Sequence, residues 1–178
     1  ERACARGTPF KRDDLKVLAG HILSTMLAIP DVRVWTRSIY AQSEGGGKEC
    51  ILSGATGEEV KVLLFLMTEL NGSPFFGGDH EVDLFVDTGE IGWGATVGEY
   101  EAAGRLEDYV LGKSSTLREL TGLLSCLGDP GIVERVAGKR IRVTMDSMAS
   151  VRNLLKGGGP VRSLCELVKD IWLVTSQL

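Results

Sequence analysis

Two hydrophobic rhythms run along the chain, and the change from one to the other divides it. Leu15, Leu18, Ile22, Met26 and Ile29 recur at three- and four-residue steps, which predicts a helix from Phe10 with one apolar face. Pro30 should end it, because proline lacks an N–H and clashes with the preceding turn. Between Asp31 and Gln42, Val32, Trp35 and Ile39 fall on one side, a second short helix. Ser43 to Gly54 is polar and glycine-rich and reads as a loop. Thr56-Gly-Glu-Glu59 has the form of a capping box, and Val60, Leu63, Leu64, Met67 and Leu70 line a third helix behind it. Residues 1–9 read as a loose leader. Asn71-Gly72 and Ser73 to Asp79 read as a turn and a linker.

From Glu81 the pattern shortens. Val82 to Val86 predicts a buried strand, and Trp93 to Val97 a second one behind a Gly89–Gly92 turn. Residues 98–112, with Tyr100, Leu106, Tyr109 and Val110, predict a third, more exposed antiparallel strand. Thr116-Leu-Arg-Glu119 resembles another capping box. Its helix carries Leu117, Leu120, Leu123, Leu124 and Leu127 and should stop at Gly128-Asp129-Pro130. Ile141, Val143 and Met145 alternate with Arg142 and Thr144 in a fourth strand. Asp146-Ser147 stands where it would cap a helix from Met148 to Leu155, and Gly157-Gly158-Gly159-Pro160 breaks that helix. Leu164, Leu167, Ile171 and Val174 give a face to a last helix between Val161 and Leu178. The expectation is an α/β domain over residues 79–178, built as three antiparallel strands, helix, parallel strand and helices. A helical segment over residues 1–78 precedes it.

The length of 178 residues suits one domain, or one plus part of a second. The formal net charge is −4, but it is spread unevenly. Residues 51–112 hold 12 acidic and 2 basic groups, whereas residues 113–178 hold 6 acidic and 10 basic. That distribution suits a divalent cation beside a polyanion-binding surface, or simply solvated faces of mixed sign. Cys4, Cys50, Cys126 and Cys165 lack the paired spacing of zinc sites, which points to free thiols in a reducing, intracellular compartment. His21 and His80 stand alone and read as structural. The most apolar run, Val60 to Leu70, is too short and interrupted to cross a bilayer, so no membrane is expected. The chain does not begin with Met and stops in predicted helix, which suggests an excised fragment.

Three carboxylates carry the candidate chemistry. Asp87 lies where an apolar strand least favours a charge, since a buried carboxylate must be paired or bound to a metal. Glu119 lies in the first turn of a predicted helix, and Asp146 follows the fourth strand. Each has a plain alternative: Asp87 as a turn former before Thr88-Gly89, Glu119 as the third helical residue of its capping box, Asp146 as a helix N-cap. Together, two strand ends and a helix across them could converge on Mg²⁺, a hard ion bound through one or two carboxylates plus waters and substrate phosphate.

These pieces resemble a known family. Leu84-Phe85-Val86-Asp87 with Gly92-Trp93-Gly94-Ala95, Ser114-Ser115-Thr116-Leu117-Arg118-Glu119-Leu120, Val143-Thr144-Met145-Asp146-Ser147 and Asn153 to Pro160 are similar to the ribonuclease H domain of reverse transcriptases from DIRS-like (tyrosine-recombinase) retrotransposons. Residues 13–76 resemble the connection segment before that domain, with Leu18-Ala19-Gly20, Arg37-Ser38-Ile39-Tyr40 and Leu70-Asn71-Gly72-Ser73-Pro74. The resemblance implies a ribonuclease H-like mixed sheet and makes Asp87, Glu119 and Asp146 catalytic metal ligands for Mg²⁺ or Mn²⁺. The implied reaction is hydrolysis of the RNA strand of an RNA–DNA hybrid within a reverse transcriptase polyprotein, in cytoplasm or nucleus.

The family continues with a fifth strand and a last helix bearing a fourth acid. This domain is therefore expected to be C-terminally truncated, and Asp170 matches the preceding helix rather than that acid. Arg152, Lys156 and Arg162, with Lys169, lie around the glycine break and are the candidate nucleic-acid contacts. Trp93 is expected in the core, with base stacking as the alternative. The runner-up function is an inactive ribonuclease H-like module that binds nucleic acid or protein. Readings of Asp87-Thr88-Gly89 as an actin-type ATPase loop or an aspartic protease motif fit less well. The chain is short for the first and too helical for the second.

Overall fold

Phe10, expected to open a helix, is instead the middle residue of a short strand. The computed structural model describes residues 9–26, 29–69, 78–159 and 161–178. Leader residues 1–8, Leu70, the Asn71-Gly72 turn, the linker as far as Gly77 and Pro160 lie outside the described residues. The chain divides into two units, Glu1–Gly77 and Gly78–Leu178.

In the first unit β1 (Pro9–Lys11) pairs antiparallel with β2 (Glu49–Ile51), setting Phe10 opposite Cys50. The stretch read as a loop therefore contains a strand. Helix α1 (Arg12–Ser24) buries Leu15, Ala19 and Ile22, while Leu18 and Met26 are exposed. The face turns through a small residue that a count of large apolar side chains passes over. Pro30 does not stop α1. It opens a 3₁₀ helix (Pro30–Thr36) that runs into α2 (Arg37–Ser43), and Val32, Val34, Trp35 and Ile39 of this pair are buried.

Helix α3 (Gly54–Glu69) starts before the predicted box. Ser53 Oγ accepts the Thr56 N–H at 3.2 Å, so Ser53 takes the capping role. Glu59 binds a residue of another helix. Only 4 % exposed, it accepts the Ser38 N–H at 3.0 Å and the Ser38 hydroxyl at 2.6 Å. Ser38 lies in the first turn of α2, where free N–H groups and the helix dipole favour a carboxylate. Leu63 and Leu66 of α3 are buried, and Leu64 and Met67, expected inside, are exposed.

The second unit is mixed α/β. Its four strands, β3 (Val82–Thr88), β4 (Gly92–Val97), β5 (Tyr100–Arg105) and β6 (Ile141–Thr144), lie in the order β5-β4-β3-β6. The pairs β3–β4 and β4–β5 are antiparallel, and β3–β6 is parallel. Strand side chains alternate between faces. Leu84, Val86 and Thr88, with Ala95 and Val97, are buried toward helix α4 (Ser115–Leu127), whose Leu120, Leu123 and Leu127 complete the core. Helix α7 (Arg162–Thr175) packs on α4 and adds Val168 and Ile171. Asp83, Phe85 and Asp87 point the other way, and Phe85 is 51 % exposed there.

Two further helices complete the unit. Gly128-Asp129-Pro130, expected only to stop α4, also starts α5 (Pro130–Val136). Asp129 Oδ1 accepts the Ile132 N–H at 3.0 Å, and Pro130 occupies the first turn, where no N–H is required. Helix α6 (Met148–Leu155) ends in Gly157 and Gly158, at φ 64° and 92°. A Cβ on Gly158 would meet Cys165 Sγ at 2.8 Å, so the glycines close one helix and seat the next. Among the described residues, no helix is long and apolar enough to cross a membrane, and Cys50, Cys126 and Cys165 are free thiols.

Candidate functional site

The site is set by the register of β3 and β6. These parallel strands pair Asp83 with Arg142 and Phe85 with Thr144. The pairing ends there, and Asp146 follows two residues past the end of β6, toward the same end of the sheet as Asp87. The first couple is neutral: Arg142 Nε donates to Asp83 Oδ1 at 2.6 Å, and His80 Nε2 lies 3.5 Å from Asp83 Oδ2. The Arg142 hydrogen bond holds the Asp83 carboxyl below its ordinary range. Asp87, expected to be buried, is exposed, because strand alternation turns it away from the core, and Asp146 is exposed as well. Asp87 and Asp146 line one concavity of about 650 Å³ on the sheet, shared with Phe85, Thr96, Glu101 and Thr144.

None of the three carboxylates performs the plain local role its sequence context offers. The β3–β4 turn closes through the Gly89 N–H to the Gly92 carbonyl at 2.9 Å, and Asp87 stays in the strand opposite Gly94. Ser147, not Asp146, caps α6 and accepts the Ser150 N–H at 3.2 Å. Ser114 caps α4 and accepts the Leu117 N–H at 3.4 Å. Glu119 is therefore the fifth residue of its helix, past the first turn, and 6 % exposed.

Gly122 explains how a helix residue reaches two strand ends. A Cβ at Gly122 would overlap Thr88 Oγ1 and lie 3.2 Å from Thr88 Cβ and Cγ2. Helix α4 thus crosses β3 in contact at its last residue. Glu119, one turn back on the same helical face, is near enough to Asp146 and Asp87 for both charges to act on it. Burial, then the charge of Asp146, then that of Asp87, push the Glu119 pKa up to about 7. A hydrogen bond with Asp146 acts in the same direction, and the charge of Arg118 opposes it. Glu119 Oε2 is buried without a hydrogen-bond partner.

The three acids thus form one electrostatic cluster. As their side chains stand, no three His, Cys, Asp or Glu among the described residues close around a single ion position. The donor set nevertheless fits a hard divalent cation: all ligands are carboxylate oxygens, one is orphaned, and the repulsion is of the kind a cation offsets.

The predicted nucleic-acid contacts lie elsewhere. Arg152 and Lys156 are exposed on α6 and its C-cap, and Arg162 on α7 donates to Glu166 Oε1 at 2.8 Å. None of them lines the concavity. Trp93 is on the covered face, where a Cβ on Gly104 would meet its Nε1 at 2.7 Å, so it packs across β5. Asp170 makes no contribution to the shift at Glu119; its own pKa is raised by burial and by Glu166. The sequence pattern marked neither Gly122 as the contact with Thr88 nor Ser114 as the cap of α4. A glycine inside an apolar helical repeat was the available signal for close approach of another backbone. No family model matches the chain, and no curated protein matches it.

Proposed function

We propose that the unit Gly78–Leu178 is a ribonuclease H-type module of a retroelement reverse transcriptase. Its activity is metal-dependent hydrolysis of the RNA strand of RNA–DNA hybrids. One observation carries the reading: Asp87 in β3 and Asp146 just past β6 line the same concavity, and the charges of both act on buried Glu119. The strand order β5-β4-β3-β6, with its single parallel pair, supports the ribonuclease H-like assignment. So does the resemblance of residues 82–174 to that domain in DIRS-like elements.

Asp87, Glu119 and Asp146 would hold Mg²⁺ or Mn²⁺. Bound there, such ions would supply activation of a water and stabilisation of the leaving oxygen in an in-line displacement at phosphorus. The chain's own contribution is preorganisation. Two carboxylates are carried at one end of the sheet by β3 and by the residues after β6, and the third is held by the Gly122–Thr88 contact. Without a cation Glu119 retains a proton up to about pH 7, which lowers the repulsion among the three.

The test is incubation of a labelled RNA–DNA hybrid with the protein and Mg²⁺ or Mn²⁺. Cleavage confined to the RNA strand and lost in Asp87→Asn and Asp146→Asn is expected. Absence of cleavage, or cleavage indifferent to both substitutions, refutes the nuclease.

A second reading, an inactive ribonuclease H-like module that binds nucleic acid or protein, is favoured by the open pose of the three side chains. Hybrid binding without hydrolysis, and a melting temperature unmoved by Mg²⁺, would select it.

A further inference from the structure

Glu119 is not the only residue whose buried polar atom lacks a partner at this end of the sheet. Arg118 Nε is also buried without a hydrogen bond, and its side chain is half-buried. On a helix, positions three and four residues apart share a face. Glu119 and Arg118 stand three and four residues before Gly122, whose contact with Thr88 marks the end of β3. Both therefore lie one helical turn from that contact, on the face of α4 turned toward the carboxyl end of the strand. One carries the orphaned oxygen and the other an orphaned nitrogen.

The charges of the concavity make this arginine informative. Its ionisable lining residues are Asp87, Glu101 and Asp146, all acidic. A phosphodiester approaching those acids meets repulsion that a neighbouring cationic side chain offsets. Arg118, Arg152, Lys156 and Arg162 all lie outside the lining of the concavity itself; of the four, Arg118 is the one whose charge acts on Glu119, and Arg162 already holds Glu166. Arg118 is next to Glu119 and close enough for its charge to act on it. A guanidinium presents a planar fork of donors that matches two phosphate oxygens, and it remains charged at any working pH.

We propose that Arg118 is a substrate-binding residue of this site, contacting a backbone phosphate of the nucleic-acid strand held against Asp87, Glu119 and Asp146. The inference rests on the nuclease reading above and adds a phosphate anchor on α4 to it.

The experiment measures binding apart from turnover. Fluorescence anisotropy of a labelled RNA–DNA hybrid, without divalent metal, is followed over about 50 to 200 mM KCl for the whole chain and its variants. Arg118→Ala is expected to weaken binding by about tenfold or more and to make the salt slope shallower by about one. Arg118→Lys should keep the slope and recover part of the affinity, since it restores the charge without the fork. It also decides the matter if the alanine variant does not fold.

Unchanged affinity and slope in Arg118→Ala overturn the proposal. So does a variant whose only change is an upward shift in the pH midpoint of cleavage, which would make Arg118 a mere offset to the Glu119 charge. Wild-type protein that cleaves hybrid while Arg118→Ala behaves identically sinks this inference alone. Wild-type protein that neither binds nor cleaves sinks it together with the nuclease.

Discussion

Gly122 on α4 and Thr88 at the end of β3 touch where any side chain on the glycine would collide with the threonine hydroxyl. This contact fixes how far α4 slides along the sheet and therefore where Glu119 stands. Alanine is the better helix former by about 1 kcal/mol, so Gly122→Ala would stabilise an uncrowded helix. Here it should destabilise by about 1–3 kcal/mol, the usual cost of overpacking. Thr88→Ala in the same chain should recover part of the loss. Urea unfolding of the two single variants and the double variant measures the coupling, and additive effects would mean that the two residues do not touch in solution.

Glu119 reports on its neighbours. Asp146 raises its pKa more than Asp87 does. Carbon-13 NMR titration of the Glu119 carboxyl should find a midpoint near 7 in the wild-type chain and lower midpoints in Asp146→Asn and Asp87→Asn. The Asp146 variant should show the larger drop. A midpoint indifferent to both substitutions would dissolve the cluster.

The same shift makes stability depend on pH. The folded state holds the Glu119 proton up to about pH 7, whereas the ordinary glutamate value is 4.5. Between those values the folded state binds more protons than the unfolded one, so stability falls as pH rises. The Glu119 contribution is intact below about 4.5 and is lost progressively up to about pH 7, with a full span of about 3 kcal/mol. Glu119→Gln should remove that part of the slope and be more stable than wild type at pH 8. Urea midpoints at acid and alkaline pH check both statements.

Cation binding should oppose this loss. At pH 8, millimolar Mg²⁺ should raise the melting temperature, and at pH 6 it should displace a proton, read by calorimetry in buffers of different ionisation enthalpy. Asp87→Asn should abolish both effects. An Asp87→Asn protein with the wild-type Mg²⁺ response would place the ion elsewhere.

The observed caps differ from the predicted ones in a way that mutation resolves. Ser147→Ala and Ser114→Ala should each cost about 1 kcal/mol through loss of an N-cap. Thr116→Ala, at a position inside α4, should cost less than either. The reverse order, measured by thermal unfolding, would restore the predicted capping box and return Glu119 to a local role.

The hydrophobic pattern by itself determined the order of strands and helices in the second unit apart from α5, because alternation and three-to-four spacing are local records of which side chains are buried. It also drew attention to Asp87, Glu119 and Asp146, but burial holds only for Glu119: Asp87 and Asp146 are exposed, because alternation along β3 turns Asp87 away from the core. Short elements escaped it. Strands β1 and β2 have three residues each, too few for a period, and exist only because they pair across the chain. The Gly-Asp-Pro that ends α4 reads as a stop, and only the Asp129 bond to Ile132 makes it also a start. Helix starts were misplaced by a few residues because several serines and threonines competed for each cap.

Only the tertiary structure decided that the charges of Asp146 and Asp87 act on Glu119. The end of the sheet that Asp87 and Asp146 share belongs to a parallel pairing whose strands are separated by the whole of β4, β5, α4 and α5. The approach of Glu119 depends on a single missing side chain at Gly122. Charge repulsion acts through space, so its sign and size at Glu119 follow from that packing and not from any spacing along the chain.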